Sequence, residues 1–178
     1  MPKLKTGVFF ATIIILFGVT SQVAQGGEQA SGQWVVILAD RQAVAESDGG
    51  IDIARSFVGL VSALGEGRFF GFISADDPTH LVGPALAGDP GFGAFSDQVY
   101  ADLASTEFER SPDFASALAE TYNLLGNERA VSGSTVYLLT GGTSRVGLMP
   151  AAGHLEPLAA LFEERGWPII GLSLPGAS

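Results

Sequence analysis

The chain has 178 residues, 47% of them apolar and only 16% charged, with no cysteine and a net charge of −10. That length and core-rich composition describe one globular domain that needs no disulfide or metal staple, because a chain of about 150 residues buries roughly 70% of its unfolded surface. The missing cysteines exclude disulfides, thiolate metal sites, a thiol nucleophile and a lipoprotein cysteine. The negative charge repels phosphate backbones and argues against nucleic acid as a partner.

The N-terminus has the pattern of an export leader. Lys3 and Lys5 precede a predominantly apolar run of 13 residues, Gly7–Val19, with Thr12 its one polar residue, which Thr20-Ser21-Gln22 breaks. Ala24-Gln25-Gly26 then offers small residues where a signal peptidase reads them, so residues 1–26 are expected to be a signal peptide cleaved near Gly27. The alternative is an uncleaved anchor. It would span a membrane only by burying the three polar residues within an 18-residue segment ending at Ala24. In either case the remainder lies outside the cytoplasm, and the membrane is touched only through this segment. Removing the two leader lysines from the 9 basic residues leaves 7 against 19 acidic ones, a charge of −12. Residues 27–32 read as a polar linker and 33–178 as the folded domain.

Gln33–Asp40 (QWVVILAD) is a continuous apolar run ending in a carboxylate, the pattern of a strand buried on both faces. Ile51–Leu64 follows as a helix, with Ile53, Phe57, Leu60, Val61 and Leu64 at helical spacing and glycines at its end. Arg68–Ala75 is a second strand, its Phe69, Phe70 and Phe72 expected in the core. His80–Leu86 is a third, with Pro84 suited to an edge. Phe92–Ser105 and Pro112–Leu125 read as helices, the latter with Ser111 as N-cap and Pro112 in its first turn. Phe92 and Phe95 are expected to pack on the sheet rather than form an exposed lip. Ser134–Thr140 is another buried strand, Ala152–Arg165 a helix with Glu163 and Glu164 on its solvated face, and Pro168–Leu174 a last strand.

Buried strands alternating with amphipathic helices specify a doubly wound, Rossmann-like three-layer α/β domain, its sheet mainly parallel with helices on both faces. The Gln33–Asp40 and Ser134–Thr140 strands, the most continuously apolar, belong side by side at its centre. In such a sheet ligands bind beyond the carboxyl ends of the strands, where strand order reverses. Asp40–Gly50, Arg110–Phe114 and Thr140–Gly147 are the segments expected to line that crevice.

Enzyme signatures are wanting there. His80 and His154 lie outside any HExxH motif, and no G-x-S-x-G elbow occurs. Gly65-Glu66-Gly67 precedes a strand, so it is not a dinucleotide fingerprint. Gly142 and Gly147 have phosphate-loop spacing, but Leu148-Met149 stands where Lys-Ser/Thr is required. The Thr140–Arg145 loop, with Gly142, Thr143 and Ser144, has the amides and hydroxyls to cradle an anion. An ordinary glycine-rich connection is the simpler account of it. Asp40, likewise, reads more simply as a solvated or helix-capping carboxylate than as a catalytic one.

VVILAD at 35–40, PDFASAL at 112–118, VYLLTGG at 136–142 and WPIIGLSL at 167–174, in that order, resemble the successive motifs of von Willebrand factor A-type domains over about residues 33–175. The resemblance implies the three-layer fold, a protein-interaction role and a metal-ion-dependent adhesion site, in which a D-x-S-x-S loop, a threonine and an aspartate hold magnesium. Asp40 keeps the first of those positions. Gln42 and Val44 replace the serines, Pro112 the threonine and Gly141 the second aspartate. Magnesium needs oxygen ligands in near-octahedral array. An improvised site would have to draw on Asp40, the Gln42 carbonyl oxygen and Asp113. The expectation is therefore a retained scaffold with a degenerate metal site, no cofactor, and another protein as partner. Family members also continue into a helix packed beside the helix of the first strand, which this chain is expected to lack. The rival expectation is a small-molecule or anion-binding protein, or an enzyme, built on Asp40, Asp113 and the 140–145 loop.

Overall fold

The computed structural model describes residues 31–108, 110–141 and 155–174. The leader and all but the last two residues of the linker lie outside that set, as do Gly142, Thr143, Ser144 and His154. Five strands form one sheet in the order β3-β2-β1-β4-β5: β1 (Trp34–Ala39), β2 (Phe69–Ser74), β3 (Asp77–Leu86), β4 (Thr135–Thr140) and β5 (Ile169–Ser173). Strands β1, β2, β4 and β5 run parallel, and β3 returns antiparallel along the edge of β2. The sheet is mainly parallel with β1 and β4 adjacent, as the apolar runs require.

All six residues of β1 are buried because helices cover both faces of the sheet. Val35, Ile37 and Ala39 point to one face and meet Val44 from α1 (Arg41–Glu46), Ala54, Val58 and Val61 from α2 (Gly50–Leu64), and Phe95, Val99 and Leu103 from α3 (Phe92–Ala104). Trp34, Val36 and Leu38 point to the other. They meet Phe114, Ala117, Leu118 and Leu125 from α4 (Phe114–Asn127) and Phe162 from α5 (Glu156–Glu164). The period of two in the strand and of about 3.6 in the helices thus mesh on each face. Each fully buried aliphatic or aromatic side chain contributes about 1.5–3 kcal/mol relative to exposure.

The phenylalanines divide as their neighbours dictate. Phe70 and Phe72 are fully buried, whereas Phe69 is half-buried and stacks on Trp34 with ring centroids 5.4 Å apart. Phe95 is buried and Phe92 sits edge-on to Phe70 at 5.2 Å, so both belong to the core. Glu163 and Glu164 are exposed.

Two local details differ from the sequence expectation. The segment after β1 is not a loop but the short helix α1. The N-cap of α4 is Asp113 rather than Ser111, so Pro112 precedes the helix instead of opening it. Asp113 wins because its backbone N–H donates to Ala75 O at 2.8 Å, fixing it against the end of β2, while its carboxylate accepts from Ser116 N at 3.0 Å. Between α5 and β5 the chain turns at Gly166, φ +67°, where a Cβ would lie 2.4 Å from Ser132 Oγ. Only glycine suits that turn.

Candidate functional site

Strand order reverses at β1: β2 and β3 build outward on one side, β4 and β5 on the other. The crevice therefore opens above the carboxyl ends of β1 and β4, where Asp40 and Gly141 stand. Backbone bonds fix its floor. Asp40 N donates to Leu139 O and Ala75 N donates to Ala39 O, each at 2.8 Å.

Asp40 is 3% exposed and turned back on its own chain. Its Oδ1 accepts from Ala43 N at 2.8 Å, capping α1. Such caps are favoured because the first turn of a helix has N–H groups without intrahelical partners. Once α1 forms, the side chains that follow Asp40 are dealt out at helical spacing. Gln42 is half-buried, and its Nε2 donates to Glu46 Oε1 one turn on, at 2.8 Å. Val44 is fully buried in the core between α1, α2 and the sheet.

Arg41, between them, carries the largest polar interaction of this end of the molecule. Its Nε donates to Asp76 Oδ1 at 2.9 Å and its Nη2 pairs with Asp76 Oδ2, while Ser74 Oγ donates to Asp76 Oδ1. Asp76 is completely buried. The side-chain hydrogen bond to Asp76 holds the Arg41 pKa above its ordinary value against the opposing effect of burial, with the charges of Asp76, Asp102 and Asp77 adding to it. The same guanidinium donates to Glu107 O at 3.2 Å and lies 5.9 Å over the Phe108 ring. Arg110 Nε donates to Asp76 O at 3.0 Å, so the segment after α3 is tied across the end of β2.

Asp113 also lies at this end, above β2. Its carboxyl is held below the usual carboxylate range, first by the Ser116 backbone N–H and then by the Ser116 hydroxyl, which donates to Oδ2 at 2.7 Å. At β4 the Thr140 hydroxyl donates to Gly141 O at 3.4 Å, and Gly141 presents no side chain. Of the six site residues anticipated from sequence, Asp40, Gln42 and Asp113 lie at this end of the sheet, and Gly142, Thr143 and Ser144 fall outside the described residues.

Sequence reasoning missed the Arg41–Asp76 pair. Its one signal was Ser74-Ala75-Asp76-Asp77 closing an apolar strand, with no local pattern linking Asp76 to a residue 35 positions earlier. Among the described residues no cluster of three or more His, Cys, Asp or Glu side chains is placed to hold a metal ion. A cavity of about 410 Å³ lies beside Phe162, Trp167 and Ile169, and one of about 300 Å³ at the α1–α2 junction, and neither is lined by Asp40 or Asp113.

Comparison with solved structures gives the arrangement its relatives. The chain superposes on a von Willebrand factor type A protein from Catenulispora acidiphila with a TM-score of 0.54 and 14% identity, covering 80% of this chain and 33% of that one. The fold is that of von Willebrand factor A-type domains. A second structure, the conserved hypothetical protein BatB from Bacteroides thetaiotaomicron, matches with a TM-score of 0.53 and 14% identity over 80% of this chain and 66% of its own. The chain thus spans a third of one neighbour and just under two thirds of the other. No protein-family model and no curated protein matches the sequence. No described helix is long and apolar enough to cross a membrane.

Proposed function

We propose that this is an exported, non-enzymatic protein-interaction module of von Willebrand factor A-type fold that works without a divalent metal. The observation that carries the metal-independent part is the way α1 uses the residues after Asp40. The Asp40 carboxylate caps the helix, Gln42 bonds to Glu46, and Val44 is packed into the core. A magnesium ion would have to take Asp40 from its cap and would find a buried isopropyl group at the third position of that loop. Across the crevice, Gly141 has no oxygen-bearing side chain. Pro112 has none either, and Asp113 is committed to Ser116. This donor set does not fit an ion that needs near-octahedral oxygen ligands.

The interaction role rests on the fold, and a fold alone does not fix function. Two features of the site support it over catalysis. Asp40 and Asp113 are engaged as helix caps, and Asp76 is engaged in the ion pair with Arg41. Export rests on the basic, apolar and small-residue pattern of residues 1–26.

The test is capture of partners by the full chain in parallel with millimolar Mg²⁺ and with EDTA. The proposal expects a saturable protein partner retained equally in both, and lost when Arg110 and Gln42 are replaced by Glu and Lys. Retention only with Mg²⁺, or turnover of a small substrate by the purified chain, would contradict it.

A further inference from the structure

Ala39 pairs with Ser74 in the parallel register of β1 and β2, so Arg41 and Asp76, each two residues further on, leave the sheet side by side. Their ion pair lies in the interior: Asp76 is completely buried and Arg41 is 9% exposed. Taking both charges out of water costs about as much as their attraction returns, and apolar residues of similar size often replace such pairs without loss of stability. Stability alone is therefore a poor account of this pair. What the pair holds is a better one.

Above it passes the connection from α3 to the Asp113 cap, residues 105–112, whose described members form no helix or strand. An irregular segment has no ladder to order it, yet this strap is pinned at successive points. Arg41 Nη2 donates to Glu107 O at 3.2 Å, and the guanidinium lies over the Phe108 ring. Arg110 Nε donates to Asp76 O at 3.0 Å, and Asp113 N donates to Ala75 O at 2.8 Å. The pins come from the buried pair and from the backbone at the end of β2. Outward the strap shows Thr106, Glu107, Arg110 and Ser111, all exposed.

We propose that the Arg41–Asp76 pair is a positioning device, which holds this strap in one conformation as the contact surface for a partner protein. The inference rests on the interaction-module reading and names the segment that makes the contact. Order before binding is what the pair contributes, because a segment already fixed gives up little conformational freedom on association. The exposed side chains define the partner. They are polar, with one charge of each sign, so they match a polar protein face that sets an acidic group by Arg110 and a basic one by Glu107. An apolar helix or an anionic polymer does not meet that description.

Trypsin digestion of the full chain reads the order of the strap, because both lysines lie in the leader and every later cleavage site is an arginine. Two variants remove the device in different ways. Arg41→Met with Asp76→Leu replaces the pair by apolar side chains. Arg41→Lys keeps a charge opposite Asp76 but lacks the planar fork that also reaches Glu107 O. Both should remain folded with a cooperative melt, while cleavage after Arg110 becomes faster and cleavage after Arg55 in α2 does not change. The partner that wild type retains in EDTA should be lost by both, a loss that a merely stabilising pair would not cause in a folded variant. Unfolding of both variants, cleavage after Arg110 at the wild-type rate in both, or retention of the partner by a variant whose strap is released overturns the proposal. A wild-type chain that retains no partner contradicts the interaction reading and with it the contact role, whereas the cleavage rates still decide whether the pair positions the strap.

Discussion

The carboxyl end of β1 and β2 and the open flank at β5 are finished to different degrees. At the first, buried polar groups find partners within the chain: Asp76 takes Arg41 and Ser74, Asp40 takes the first turn of α1, and Arg110 closes over the end of β2. At the second, β5 carries no charged residue and leaves the Ile170 side chain exposed. The resemblance to adhesion-site domains implies a metal at the first region, and on the proposed reading the described donors there are engaged within the chain instead. The difference teaches that the strand carboxyl ends are held by polar contacts within the chain, while the last strand is held by its ladder to β4 and by the apolar packing of Ile169 and Leu172.

The largest effect should come from opening the closed region. Arg41→Met removes the guanidinium from the buried Asp76 carboxylate, and urea denaturation should show a loss of about 3–5 kcal/mol. Replacing both partners by apolar residues, Arg41→Met with Asp76→Leu, should recover much of that loss. A single-variant cost below 1 kcal/mol would mean that this end is not held by the pair.

Val44→Ser comes next. It returns the oxygen that the adhesion-site pattern calls for, but places a hydroxyl in a fully buried apolar position. Lost packing and desolvation should together destabilise by about 2 kcal/mol, with no magnesium binding gained. Stabilisation by Mg²⁺ in this variant would show that the position faces the crevice rather than the core.

Asp113→Ala should cost about 1 kcal/mol at neutral pH through loss of the α4 cap. Because the folded pKa of Asp113 is lowered, its contribution is complete above the unfolded value and fades as pH falls through the folded one. The difference between wild type and variant should stay constant at neutral pH and shrink only below about pH 4. Ile170→Lys, at the open flank, should change stability by less than about 0.5 kcal/mol.

Much of this was legible in the sequence, and for identifiable reasons. Central strands β1 and β4 announce themselves because burial on both faces demands continuous apolar runs. Helices α2 and α3 do so through apolar residues at helical spacing. In α2, however, the stripe that the sequence suggests is the wrong face: Ile53, Leu60 and Leu64 are exposed, and the smaller Ala54 and Val58 pack on the sheet with Val61. α1 was not legible: six residues, RQAVAE, are too few to show a period, and Ser47-Asp48-Gly49-Gly50 beyond them resembles a loop. Ser111 reads as the α4 cap because proline suits a first helical position, and only the tertiary bond from Asp113 N to Ala75 O sets the cap at Asp113. Arg41–Asp76 left only the acidic residues closing the β2 run, since pairing beyond the ends of two parallel strands depends on register and not on local pattern.

Metal independence is the central claim, and thermal melts of wild type and Asp40→Ala, each with and without millimolar Mg²⁺, test it most directly. A ligand bound only to the native state at 100 times its Kd stabilises by about 2.7 kcal/mol, a shift that a melt registers plainly. The account predicts that Asp40→Ala lowers the melting temperature by the same amount in both buffers, reflecting about 1 kcal/mol of lost capping, and that Mg²⁺ moves neither protein. A clear Mg²⁺-dependent rise in wild type, abolished by Asp40→Ala, would contradict it and show that Asp40 leaves its cap to hold a metal.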